Sequence, residues 1–118
     1  MTNRQRLTKD CDKLWSQAVK KRCHHRCMVN GCGAFSGDAH HIISRRCNAT
    51  RFDVDNGIML CRKHHNHDKQ KEMLTRIIER IGFPNYQVLL EKARKRKVWY
   101  EIDLEELKVS LKRDYKET

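Results

Sequence analysis

No stretch of this 118-residue chain is apolar enough to cross a membrane, since no uncharged hydrophobic run approaches the roughly 20 residues a spanning helix needs. Its opening, MTNRQRLTKD, lacks the apolar stretch of a signal peptide, so an intracellular, cytoplasmic protein is expected. There is no internal repeat and no long linker, and the length excludes a large multi-domain enzyme. Hydrophobic residues are also scarce, at 38%. A chain of about this size buries only some two-thirds of its unfolded surface, so its core is small and a metal staple would help it. Acidic residues are outnumbered, 15 to 26, and the net charge is +11.

That charge favours a polyanionic partner. It is uneven: residues 1–26 carry +6, residues 27–70 carry +2 and residues 71–118 carry +3. An anionic membrane would also attract it, but no segment pairs a basic face with a broad aromatic one. Nucleic acid is the better match.

Periodicity places the elements. Leu7, Cys11, Leu14, Trp15, Ala18 and Val19 recur at spacings of three and four, which predicts a helix over about 4–22 with a basic opposite face. Asp38 to Ile43 and Ile58 to Leu60 suit two short strands, with a polar loop over 44–56 between them. A helix is expected from near Arg62. Met73, Leu74, Ile77, Ile78 and Ile81 make a clear stripe, stopped by Gly82, and Pro84 suits the first turn of the next helix. Asp103 to Glu106 resembles a capping box with Asp103 as the cap, ahead of a last stripe of Leu104, Leu107, Leu111 and Tyr115. The expected fold is α+β: a small ββα centre at 23–70, a basic helix at 1–22 before it and a helical extension at 71–118, in one domain.

Six cysteines and seven histidines carry the chemistry. In a chain without a signal peptide they read as metal ligands before disulfides, the rival being a secreted disulfide framework. Four residues separate Cys27 from Cys32, and two separate Cys61 from His64. Two such pairs make a closed four-ligand site, and thiolates favour zinc. Cys23 with Cys27 is the alternative first pair; Gly31 and Gly33 favour Cys27 with Cys32. Cys11 sits on the apolar stripe and reads as core, and Cys47 has no partner at ligand spacing.

His40 and His41 are neighbours on the first strand, so they face opposite ways and cannot share a task. Asn56, His64 and His65 follow, then His67 and Asp68. The order His40-His41-Ile42-Ile43, Arg51-Phe52-Asp53-Val54-Asp55-Asn56-Gly57 and Leu60-Cys61-Arg62-Lys63-His64-His65 resembles the HNH endonuclease motif on a ββα-metal scaffold, in its zinc-stapled phage and prophage branch. Thr50-Arg51-Phe52-Asp53, Ile78-Glu79-Arg80-Ile81-Gly82 and the final Asp114-Tyr115-Lys116 are most similar to the lambda NinG (Rap)-like recombination endonucleases.

The resemblance implies a metal-dependent DNA endonuclease of phage or prophage origin. His41 aligns with the general base and Asn56 with the Asn that steadies its loop. His40 and His65 align with the ligands of a catalytic divalent ion, Mg²⁺ or Mn²⁺. NinG-like chains carry Gly where this one has His40, so Asp38, on the same strand face, is an alternative ligand. Cys27, Cys32, Cys61 and His64 align with structural zinc ligands, His64 standing where Cys is commoner. The family's substrates imply branched or weakly specific DNA.

The chemistry stands without the family. A neutral imidazole accepts a proton at neutral pH, and a divalent ion stabilises charge at a phosphate. Arg45, Arg46 and Arg51 in the loop, with Arg62, Lys63 and Lys69 around the last histidine, are candidate phosphate contacts, which give affinity without a sequence code. Arg94 to Lys97 is either a further contact or a solvated helix end. Trp99 either stacks on a base or packs near Leu104 and Leu107. The alternatives are a packaging-associated nickase and, from another class, a non-catalytic zinc module that binds DNA. A homodimer through the C-terminal helices would suit a junction cutter, although such stripes more often serve the chain's own core.

Overall fold

A computed structural model describes residues 1–65 and 70–117 of the chain. The order is α1 (Asn3–Arg22), β1 (Asp38–His41), a 3₁₀ turn (Val54–Asn56), β2 (Gly57–Leu60), α2 (Gln70–Ile81), α3 (Phe83–Ala93) and α4 (Glu101–Glu117). The fold is α+β. Among the described residues no helix is long and apolar enough to cross a membrane.

Helix α1 starts at a full capping box. The Gln5 N–H donates to Thr2 Oγ1 at 3.1 Å, and the Thr2 N–H donates to Gln5 Oε1 at 2.8 Å. Lys20, Lys21 and Arg22 in the last turn suit the negative end of the helix dipole. Its stripe of Leu7, Cys11, Trp15, Ala18 and Val19 is buried, as its spacing predicts.

Strands β1 and β2 pair antiparallel, with Asp38 opposite Leu60 and His41 opposite Gly57. Opposed residues share a face, so the sheet separates two cores. One contains Met59 with Leu7, Cys11, Trp15, Val19, Phe52, Leu104 and Leu111; the other contains Ile58 and Leu60 with Cys27, Val29, Cys61, Met73, Ile77 and Leu89. Gly57 is where α1 touches the sheet. A Cβ there would lie 2.2 Å from Val19 Cγ2 and 2.8 Å from Trp15 Cζ2, so only glycine allows this approach.

Helix α4 closes the first core by packing along α1. The Cys11 thiol donates to the Leu104 carbonyl at 3.4 Å, and Lys108 pairs with Asp10 at 3.1 Å. The α4 stripe is therefore used within the chain. Trp99 joins this core edge-on to Phe52, with ring centroids 5.3 Å apart, and its Nε1–H donates to the Asn48 carbonyl at 2.9 Å.

Two local expectations are corrected. Residues 62–64 form a turn, not the start of a helix, because the N–H groups of His64 and His65 both donate to the Cys61 carbonyl. Asp103 is not the helix cap. It lies in the first turn of α4 and accepts from the Tyr100 N–H at 3.0 Å, so it forms the returning half of a capping box, with Tyr100 in the cap position.

Candidate metal centre and histidine site

Cys27 and Cys32 flank a knuckle turned by Gly31 and Gly33, both at positive φ. Cys61 directly follows β2, and the turn after it swings His64 back. The ligand atoms of Cys27, Cys32, Cys61 and His64 all lie within 4.8 Å of one another. His64 Nδ1 is 3.4 Å from Cys27 Sγ and 3.3 Å from Cys61 Sγ, and the sulfurs of Cys32 and Cys61 are 3.9 Å apart.

These separations can be tested against a tetrahedron. With metal–sulfur bonds of about 2.3 Å and metal–nitrogen bonds of about 2.0 Å, its edges are about 3.8 Å between sulfurs and about 3.5 Å from sulfur to nitrogen. The set fits a metal ion such as zinc. A disulfide does not fit, since its sulfurs are bonded at about 2.05 Å, and all six cysteines are free thiols. Burial pushes the Cys27 thiol up to about 11. Burial also raises Cys61, but the His64 and Lys63 N–H groups and the Cys27 and Cys32 thiols outweigh it, and Cys61 falls below the usual thiol value. Metal capture by such a set releases protons. Cys23 stays outside it, buried in the α1 core at the helix end.

His41 faces the α1 side of the sheet. Its ring lies flat on Trp15, with centroids 3.8 Å apart and planes 8° from parallel. Its Nε2 is 2.9 Å from the Arg51 carbonyl oxygen. A carbonyl only accepts, so Nε2 carries the hydrogen and Nδ1 keeps its lone pair. Burial holds this histidine below its ordinary value, against the Arg51 carbonyl and the Asp12 charge, which raise it.

Asn56 fixes that carbonyl's loop. Its side chain is fully buried, accepts from the Ile43 N–H at 2.7 Å, and donates to the carbonyls of Ile43 at 3.0 Å and Thr50 at 3.1 Å. Arg51 is anchored from the other side: its Nε and Nη2 donate to the two Asp12 oxygens at 3.0 and 2.7 Å. Nothing in the sequence marks Trp15 and Asp12 as site residues. Trp15 shows only as part of an apolar stripe, and contacts across 26 residues, to His41, and 39 residues, from Asp12 to Arg51, leave no local pattern.

Asp38, His40 and His65 gather on the opposite strand face. His65 Nδ1 is 4.0 Å from Asp38 Oδ2, and the His40 and His65 rings meet edge-on at 5.0 Å. Among the described residues, only the Cys27–His64 set brings three or more ligand atoms within 4.8 Å of one another. Arg45, Arg46, Arg62 and Lys63 are exposed. Lys69, His67 and Asp68 lie outside the described residues.

The fold and this centre define a small α+β protein with a Cys₃His cluster able to bind metal. Compared with models of protein families, with curated proteins and with solved structures, the chain finds no match.

Proposed function

We propose that this protein is a metal-dependent endonuclease of the HNH type, hydrolysing DNA phosphodiesters on a ββα-metal core stapled by zinc at Cys27, Cys32, Cys61 and His64. The observation that carries the reading is the setting of His41. Buried Asn56 ties down the loop whose Arg51 carbonyl holds the His41 Nε2–H, and this leaves Nδ1 as a basic nitrogen of fixed direction. Packing alone does not call for that arrangement.

In this reading His41 Nδ1 takes a proton from a water as its oxygen attacks phosphorus. The bond to the leaving oxygen breaks, and that oxygen takes up a proton from solvent. Asn56 keeps the imidazole oriented, and Trp15 holds its plane. His65 with either His40 or Asp38 would hold Mg²⁺ or Mn²⁺, which would supply charge neutralisation at the phosphate and the leaving oxygen. Two ligands of one ion with bonds of about 2.1 Å stand about 3.0 to 4.2 Å apart, a span that the Asp38–His65 pair meets at 4.0 Å, whereas Asp38, His40 and His65 do not all lie within 4.8 Å of one another. Exposed Arg45, Arg46, Arg62 and Lys63 would meet phosphates. Arg51, held by Asp12, shapes the loop instead.

The test is cleavage of supercoiled plasmid and of a synthetic four-way junction, with and without Mg²⁺ or Mn²⁺. The wild type should cut, and a folded His41→Ala variant should cut about 100- to 10,000-fold more slowly. Junction preference would support a recombination role. A folded wild type that retards DNA but cuts nothing with either ion would replace this reading with a non-catalytic zinc module.

A further inference from the structure

Phe35 is the most exposed tryptophan, tyrosine or phenylalanine ring among the described residues, at 67%. It is not bare on both faces, because the Arg26 guanidinium sits 4.1 Å from its centroid. Arg26 immediately precedes Cys27, and Phe35 follows Cys32 by three residues. The Cys27 N–H donates to the Ala34 carbonyl at 2.7 Å, which closes the knuckle and sets the two side chains together. Just before them, His24 and His25 stand at φ 54° and 56°. Consecutive left-handed non-glycine residues are uncommon, and such strain tends to persist where it positions something.

The chain leading into the knuckle is cationic. From residue 13 to residue 37 the chain has five Lys or Arg and no carboxylate. Of these, Arg22 is paired with Asp55. Phe35 is also only three residues from Asp38, at most about 11 Å along an extended chain.

We infer that Phe35 and Arg26 form a stacking platform for an unpaired nucleobase, built on the Cys27–Cys32 knuckle. Every base has a π face, so the platform accepts any base, and the guanidinium adds attraction for a neighbouring phosphate. Bases stacked inside a duplex cannot reach it. The platform's place beside a scissile phosphate rests on the nuclease reading, whereas base binding does not. Together they specify DNA with an unpaired strand roughly a nucleotide or two from the cut, such as a fork, flap or junction.

The experiment is fluorescence anisotropy of zinc-loaded protein with labelled oligothymidine and with a blunt duplex of equal length, without Mg²⁺ or Mn²⁺. Phe35→Ala should weaken single-strand binding by roughly 5- to 150-fold and leave duplex binding within about twofold, and Phe35→Trp should restore it. Unchanged single-strand affinity, or equal losses on both probes, overturns the platform and leaves the ring to a protein contact. Phe35 is exposed, so the variants should fold; metal content and circular dichroism check this. The two readings fail separately: a wild type that never cuts leaves the anisotropy result standing, and a failed platform leaves cutting standing.

Discussion

Replacing Asn56 by alanine tests the core of the site. The side chain is fully buried and makes three hydrogen bonds, two to Ile43 and one to Thr50. Each net bond contributes about 1 kcal/mol, and each orphaned buried group adds to the loss. The expected cost is therefore about 3 kcal/mol. At this chain length, roughly 4 °C is lost per kcal/mol, so Tm should fall by about 12 °C. Thermal unfolding by circular dichroism measures this. The same variant should free the Arg51 carbonyl from its position. In ¹⁵N-correlated NMR, wild-type His41 should then appear as the Nε2–H tautomer and the variant as a tautomer mixture. A Tm drop under about 3 °C, or an unchanged His41 tautomer, would refute the claim that Asn56 orients the imidazole.

Three further outcomes are expected. Purified protein should carry one zinc per chain at the Cys₃His set; Cys32→Ser should lose it and Cys47→Ser should keep it, as read by elemental analysis, and strong chelators should lower Tm. Gly57→Ala should destabilise by about 1–3 kcal/mol or more, read as a lower denaturant midpoint, because the added Cβ meets Val19 and Trp15. Cys11 should resist alkylation in the native state, since burial, then Asp12 and Asp10, push its thiol to about 11. About one thiol in a thousand is then ionised at pH 8. Mass-spectrometric detection of fast native labelling at Cys11 would contradict this.

The legible parts of the fold were those with a local rule behind them. Helix α1 follows from a stripe spaced by three and four, and the metal set from two ligand pairs with glycines at one turn. The opposite facing of His40 and His41 follows from the two-residue period of a strand. Contacts made between distant segments were not legible. Nothing near Trp15 says that its ring will lie on His41, and nothing near Asp12 names Arg51 as its partner. The residues after Cys61 are helix-compatible in type, yet they turn to bring His64 to the thiols. The spacing of Asp103 to Glu106 mimics a cap, yet the chain places Asp103 inside the first turn, where Tyr100 offers the N–H.

The pairing of α1 with α4 has a consequence for how the molecule is made. The helix that carries Trp15 is synthesised before the sheet, and the helix that seals its other flank through Leu104 and Leu111 after it. While the ribosome is still making the middle of the chain, α1 has no completed core to rest on, and Cys11, Leu7 and Trp15 face water. The contact can form only after some ninety residues have intervened between Cys11 and Leu104, whose hydrogen bond spans 93 positions. Such late, long-range closure is slow, and it leaves the apolar stripe open to other chains in the meantime. A nascent or truncated chain can thus possess the whole knuckle and both strands and still leave one flank of α1 uncovered.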